Sequence, residues 1–557
     1  MLKKLPIGKS NFKKVIEDGD YFVDKSLFIK EVIDSSSETS LVMRPRRFGK
    51  TLNLSMLRYF FGNGNFIPTN KNLFKNLAIY KEDVFAEHFE KYQIIYLTFK
   101  DVKSDNFESS YNKIYSLIQK EFDKHHKKID SLELSYLERK NYFDILEKKA
   151  TQEELQESLI LLSTLLFQAY NQKVVILIDE YDTPIHSAFV YDYYQKFVGF
   201  IRGFLSGGFK DNDYLYKGVI TGILRVSKES IFSGLNNITP YTILDEKYGD
   251  KFGFTINETK KMLKDFDIED RYAEVCDSYN GYNIGGVTIF NPWSILNYTD
   301  SKKLLPFWVN TASNDLIKYL FKNSSPIFKK NLQNFIEDKV VNVQLDTNVV
   351  FSELTQNDNQ IYSLLFFSGY LKCVSRTLTD KIYRCNLMIP NKEVKYIYKK
   401  MIESWMNDAF RNTRLEPILK SLVDGEIEIF ERLFSEFVLE TLSFYDVNKK
   451  NEEAVYQAFI LGLLVNLNDY EIISNQESGL GRFDIMILHK NNKQKLAIIM
   501  ELKKIDDFKD ETRKEALESA IKQIEDKKYE IVAKKRGYLN ILKMGVVFDG
   551  KRVWVKE

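Results

Sequence analysis

The chain has 557 residues, a formal net charge of +2 and 44% hydrophobic residues, so any affinity for nucleic acid has to come from a local patch rather than from the global field. No apolar run approaches the roughly 18 residues needed to span a bilayer, the basic N-terminus MLKKLPIGKSNFKK lacks the apolar segment of a secretory signal, and Cys276, Cys373 and Cys385 have no CxxC spacing. These features predict a cytoplasmic protein with reduced thiols and no membrane partner, and at about 150 residues per domain the length allows three or four units. His125–His126 sits in a charged stretch and is expected to face solvent rather than to hold zinc.

In chain order, the first informative segment is LVMRPRRFGKTLNLSML. An apolar run enters a loop, Arg47-Phe48-Gly49-Lys50-Thr51, and a helical pattern follows through Leu52, Met56 and Leu57. Strand, loop and helix is the setting of a phosphate-binding loop: backbone amides and a helix N-terminus face the anion, Lys50 reaches the β- and γ-phosphates of ATP, and Thr51 ligates Mg²⁺. Arg44 stands where the full motif has Gly, and Pro45, Arg46 and Arg47 stiffen and charge the loop, so a plain basic loop ahead of a helix is the competing reading. The segment KVVILIDEYDTP supplies a partner: Val174 to Ile178 read as a strand buried on both faces. It ends in Asp179, suited to hold Mg²⁺, and Glu180, suited to polarise the attacking water. A further strand in YKGVITGILRVSKESIFSGLNN ends near Thr221. Arg225 beyond it is either a γ-phosphate contact, in cis or from a neighbouring copy, or a structural ion-pair partner.

The middle of the chain carries no catalytic signature. Helical patterns dominate from Thr255 to Phe328, broken by YNGYNIGGVTIFNPWS, whose Gly and Asn punctuation predicts a hairpin. The segment from Asn359 to Pro390 reads as a helix and two strands, and a helix restarts at Asn391, a winged-helix-like order. Glu403 to Leu442 reads as a helical connector.

The C-terminal region opens with the helical pattern NEEAVYQAFILGLLVNL, with Glu453 in its first turn, where an acid also complements the helix dipole. Two apolar strands follow in GRFDIMILHK and KLAIIMELKK, placing Asp484 on one and Glu501-Leu502-Lys503 on the next. Side chains alternate along a strand, so Glu501 and Lys503 share a face. Hard oxygen ligands such as Asp484 and Glu501 suit Mg²⁺ or Mn²⁺, and an adjacent ammonium suits an anionic transition state. The amphipathic helix ETRKEALESAIKQIEDKKY carries Gln523, and GVVFDG and KRVWVKE form two last strands.

The acid, the loop of variable length and the acid-x-Lys triplet resemble the PD-(D/E)XK nuclease superfamily. That resemblance implies Asp484, Glu501 and the helix acid Glu453 as metal ligands, Lys503 as the catalytic residue that orients the water or stabilises the anionic transition state, and Gln523 close to the active site. Taken together, LPIGKSNFKKVIEDGDYFVDKSLFIKEVI, RPRRFGKT, IDEYDTP and ITGILRVSKESIFSGLNN resemble the predicted AAA-type ATPase family, which commonly carries such a nuclease domain. In that family Arg44 is a regular feature of the loop, and Tyr21, Val23, Asp24 and Lys25 precede it on the adenine side. Where the family often has Tyr-His, this chain has Tyr456-Gln457. The expected architecture is a multidomain α/β chain: a P-loop NTPase parallel sheet over 1–238, a helical and winged-helix-like region over 239–402, a connector over 403–442, and a restriction-endonuclease-like domain over 443–557. The expected function is an ATP-binding and ATP-hydrolysing protein coupled to a Mg²⁺-dependent nuclease, favouring DNA over RNA, with room for oligomerisation and a role in defence or mobile-element biology. The alternative is a nucleotide-gated nucleic-acid-binding or signalling protein that does not cleave.

Overall fold

A computed structural model describes residues 3–63, 70–225, 237–308, 315–354, 356–379, 382–409, 415–441, 452–464, 466–478, 481–505, 511–550 and 552–557. The chain divides into two compact units, Met1–Leu320 with Asn342–Lys395, and Phe321–Val341 with Tyr396–Glu557. Among the described residues no helix is long and apolar enough to cross a membrane.

The first unit is built on strands β1 (Thr39–Met43), β2 (Gln93–Thr98), β3 (Val174–Asp179), β4 (Leu215–Gly222) and β5 (Ile238–Tyr241). They lie in the order β2-β3-β4-β1-β5 and are parallel throughout. Every residue of β1 and β3 is buried, as their unbroken apolar runs require of strands covered on both faces, while β2 at the edge alternates. Because β4 separates β1 from β3, three strand ends converge on one edge of the sheet, where ligands collect in open α/β folds. The helix Tyr194–Phe209 packs close to the helix Gln152–Gln156 by presenting small residues: a Cβ at Gly207 would lie 2.5 Å from the Gln156 carbonyl oxygen.

A small antiparallel sheet follows, β6 (Phe254–Thr255), β7 (Tyr282–Ile284) and β8 (Val287–Phe290), in the order β6-β8-β7. The predicted hairpin is β7–β8, turning on Gly285 and Gly286 at φ +57° and +87°, left-handed values that favour glycine. The helix Ile256–Asp265, closed by a Thr255/Glu258 capping box, packs Met262 against Val275, Phe290 and Ile295. Strand β9 (Val341–Leu345), the helix Asp358–Phe367, β10 (Lys372–Thr379) and β11 (Ile382–Met388) complete this unit, the three strands in the order β10-β11-β9. The helix, strand, strand, helix order read from the sequence is present, with Lys392–Ala409 as the last helix.

In the second unit, β12 (Tyr470–Ser478), β13 (Gly481–His489), β14 (Ala497–Lys504), β15 (Ile541–Asp549) and β16 (Arg552–Lys556) form one sheet in sequence order. Only β14–β15 is a parallel pair, which the intervening helices Arg513–Asp526 and Glu530–Lys535 make possible as a crossover. Ala516, Ala520 and Ile524 are the buried stripe of the first of these helices, as their four-residue spacing predicts.

One expectation fails outright. His125 is buried, not solvated, and burial lowers its pKa to about 4. The charged neighbours Lys124, Lys127 and Lys128 are expelled to the surface while the turn after the helix Phe107–Asp123 carries His125 inward against Tyr170. The three cysteines are free thiols, Cys385 buried and the other two half-buried.

Candidate active sites

The first site forms where β1 runs into the helix Lys50–Phe61. Gly49 begins that helix at φ +86°, and the place a Cβ would take there has nothing within 4 Å, so glycine is needed for conformation alone. Arg47 is also left-handed, at φ +68°, and its guanidinium lies 4.4 Å from the centre of the Trp293 ring, a cation–π contact that offsets the strain. Phe48 is buried edge-on to Tyr282. Lys50 is buried too; its Nζ donates to the carbonyls of Arg44 and Pro45, both at 2.9 Å, and burial lowers its pKa.

Asp179 at the end of β3 is fully buried and held by two hydroxyls. Thr51 Oγ1 donates to its Oδ2 at 2.8 Å, and Thr221 Oγ1, from the intervening strand β4, donates to its Oδ1 at 2.7 Å. Burial raises the Asp179 pKa and the neighbouring Glu180 raises it further, while the two hydroxyls and Lys50 pull it back. Glu180 takes a left-handed conformation, φ +53°, that turns it from the strand into the cavity. That cavity, about 330 Å³, is lined by the loop Arg46–Thr51, by Glu180 and Asp182, by Tyr21 to Val23, and by Phe254 and Trp293; its size suits a small-molecule site. Tyr21 and Lys25 fasten this N-terminal segment to the helix Ile256–Asp265, through Asp265 and Glu258. Arg225 lies beyond β4, its carbonyl accepting from Val349 N at 3.2 Å, and is not among the residues lining the cavity. The SKESIFSGLNN stretch, 226–236, lies outside the described residues.

Two roles here escape a reading of the sequence. Asp182 is buried, and its Oδ2 accepts from the backbone amides of Ile223 and Leu224 at 2.7 and 3.1 Å, tying the loop after β3 to the end of β4. Its signal is the second Asp of Asp179-Glu180-Tyr181-Asp182. Arg44 occupies the glycine position of the motif and is completely buried. Its Nη1 donates to the carbonyls of Met43, Tyr241 and Thr242 at 2.8 to 3.1 Å, and its Nη2 to those of Lys247 and Tyr248 at 3.3 and 3.1 Å. Arg44 therefore staples the loop to the segment that leads to Lys251 and Phe254 on the far wall of the cavity.

The second site lies at a fork in the other sheet. The ladder between β13 and β14 runs from Ile487–Ile498 to Ile485–Met500. At the next position the Asp484 carboxylate takes over, its Oδ2 accepting from Leu502 N at 2.8 Å. Beyond it β13 continues with β12 to Gly481 and β14 continues with β15 to Lys504. Glu501 is buried on β14. Gln523, from the helix Arg513–Asp526, joins the acid and the base: its Nε2 donates to Glu501 Oε1 while its Oε1 accepts from Lys503 Nζ at 2.6 Å. Lys503 Nζ is 3.8 Å from Glu501 Oε1. Tyr529, also buried, accepts from Gln523 Nε2 at 3.4 Å; burial raises its pKa, and the charges of Glu501 and Asp484 raise it further. Gln457 Nε2 donates to the Asp484 carbonyl at 3.3 Å. Glu453 lies in the first turn of the helix Glu452–Leu464, and its side chain is outside those described. Among the described residues no three His, Cys, Asp or Glu side chains gather around a common metal position. Both donor sets nonetheless consist of hard oxygens, carboxylates at the fork and a carboxylate with a hydroxyl at the first site, the chemistry that fits Mg²⁺ or Mn²⁺.

Residues 6–232 match the family model of a predicted AAA-ATPase, and residues 451–557 match that of the PD-(D/E)XK nuclease superfamily. The chain carries one domain of each family. The ATPase-like match holds the loop, the buried Asp179 and most of the cavity wall, with Phe254 and Trp293 of that wall lying beyond it; the nuclease-superfamily match holds the fork. The chain is also similar to the "uncharacterized protein in vnfD 5′ region" of Azotobacter chroococcum mcd 1, at 27% identity over 402 residues, covering 71% of this chain and 68% of that one.

Proposed function

We propose that the protein binds and hydrolyses ATP in its N-terminal domain and cleaves phosphodiester bonds of nucleic acid, DNA in preference to RNA, in its C-terminal domain. The observation that carries the reading is the Asp484–Glu501–Lys503–Gln523 constellation at the strand fork. Asp484 and Glu501 would hold a divalent cation, which when bound would supply charge neutralisation on the phosphate and a more acidic water. Lys503 stabilises developing negative charge. Gln523 keeps the ammonium and the Glu501 carboxylate apart yet aligned, because its amide offers an acceptor to one and a donor to the other.

In the first site, Lys50 would exchange the carbonyls of Arg44 and Pro45 for nucleotide phosphate oxygens, and Thr51 with Asp179 would hold the Mg²⁺ that accompanies ATP. Glu180 orients the attacking water. Coupling between the sites requires only that ATP favour one arrangement of the chain over another, with the winged-helix-like region as the candidate relay. Defence or mobile-element biology is the setting that the family resemblance implies.

The test is cleavage of labelled single- and double-stranded DNA and RNA with Mg²⁺ or Mn²⁺, with and without ATP, beside Asp484→Ala and Lys50→Ala. Cleavage lost in Asp484→Ala, with nucleotide binding kept, is the expected result. ATP-dependent binding with no cleavage under any condition assigns the chain instead to nucleotide-gated nucleic-acid binding. Cleavage by Lys50→Ala that equals the parent with and without ATP refutes the coupling.

A further inference from the structure

Lys527 closes the helix Arg513–Asp526 and keeps helical geometry, its backbone N–H bonded to the Gln523 carbonyl. It therefore sits four residues after Gln523 on the same helix face, about 5–6 Å along the axis. The stem of Lys527 packs over Gly481, the first residue of β13: a Cβ there would lie 3.2 Å from Lys527 Cδ and 3.2 Å from the Tyr529 hydroxyl. Gly481 has no left-handed backbone to explain it, since its φ is not positive; what it provides is room for these two side chains. Tyr529 in turn touches Gln523, and Gln523 touches Glu501 and Lys503. The lysine stem is thus seated within one connected cluster with the acid and base of the fork. Its ammonium is exposed and has no ion pair or hydrogen bond among the described residues. Basic side chains of the following helix and turn differ in this respect: Lys534 lies 3.6 Å from Glu530, and Arg536 is bonded to Glu471, whose strand partner Leu488 is at the other end of β13.

We propose that Lys527, seated on Gly481, binds a backbone phosphate of the nucleic-acid substrate next to the bond being cleaved. This inference rests on the nuclease reading above and deepens it by assigning a substrate-binding residue. An unpaired ammonium on a packed stem beside an acidic centre restores the charge balance that a polyanion needs to approach two carboxylates. A phosphate contact of this kind grips without reading sequence.

The experiment measures binding of a fluorescein-labelled DNA duplex, and of its single strand, to the full-length chain by anisotropy across a salt series in Ca²⁺. Cleavage kinetics are then measured in Mg²⁺. Lys527→Ala is expected to weaken binding several-fold and to flatten the slope of log Kd against log salt by about 0.9 for duplex or about 0.7 for single strand. It should raise KM while leaving kcat at saturation unchanged. Lys527→Arg should keep the slope of the parent, and Lys535→Ala, at the far end of the sheet, should change neither quantity. A slope and a Kd for Lys527→Ala equal to those of a parent that binds and cuts would overturn the assignment of Lys527 alone. A parent that neither binds nor cuts would overturn the nuclease reading and this inference with it.

Discussion

Replacing Arg44 by Ala removes a fully buried guanidinium that donates to five carbonyls from two nitrogens. Two nitrogens carry four hydrogens, so at most four of those bonds are strong. Hydrogen bonds from a charged donor contribute about 1.5–3 kcal/mol each, and water entering the vacated space recovers part of that. Discounting accordingly, Arg44→Ala costs about 4 kcal/mol, a large share of the ~5–15 kcal/mol that stabilises a typical domain. Arg44→Lys, with one nitrogen and three donors, should recover about half. Burial lowers the Arg44 pKa to about 10, so the side chain stays charged at neutral pH and the loss does not vary there. The staple joins the phosphate loop to the far wall of the cavity, so the affinity for a fluorescent ATP analogue should fall together with the urea midpoint of the ATPase-like domain. A variant with the midpoint and nucleotide Kd of the parent would refute the reasoning.

Gln523→Ala should slow cleavage about 30-fold at saturating substrate, the effect of roughly 2 kcal/mol lost when Lys503 and Glu501 lose their common partner; an unchanged single-turnover rate would remove Gln523 from the mechanism. Glu393 is buried and accepts from Ser294 Oγ and Trp308 N, both at 2.8 Å; burial raises its pKa to about 7 from 4.5. Folding therefore takes up a proton in that window, and stability falls as pH rises through it, by up to about 3 kcal/mol. Glu393→Gln should match the parent in Tm near pH 5 and exceed it near pH 8, and parallel Tm profiles would contradict this. Gly207→Ala should destabilise by about 1–3 kcal/mol, because its Cβ would lie 2.5 Å from the Gln156 carbonyl oxygen. Gly199→Ala on the same helix, with nothing within 4 Å, should stabilise by up to about 1 kcal/mol; urea midpoints that shift in the same direction would refute the contrast.

Local chemistry makes much of this legible. The apolar runs ending at Met43, Asp179 and Thr221 announce buried parallel strands, and the position of Thr51 one residue into a helix follows from Gly49-Lys50 alone. Gly285-Gly286 gives the hairpin turn directly. What stays hidden depends on partners distant in sequence. The carbonyls that bind Arg44 include four from 197 to 204 residues away, so a residue legible only as a family feature proves to be a buried staple. His125 misleads because the charges around it describe the surface of its turn and say nothing of the side chain that faces inward. Thr221 is legible as a strand end, but its bond to Asp179 requires knowing that β4 lies between β1 and β3.

The fork between β13 and β14 also bears on how such a chain tolerates change. The acids face each other across the strands, while the polar turn His489–Gln494 that joins those strands lies at the other end of the ladder. Residues added to that turn lengthen a loop whose closure cost rises only slowly with length, and Asp484 and Glu501 stay where they are. A single residue inserted between Phe483 and Ile485 would instead turn every later side chain of β13 over, exchanging Met486 and Leu488, which pack in one layer with Ile524, with Ile485 and Ile487, which are buried on the other face. The interval in sequence between the two acids is therefore free to drift over evolutionary time, and the few residues beside each acid are not.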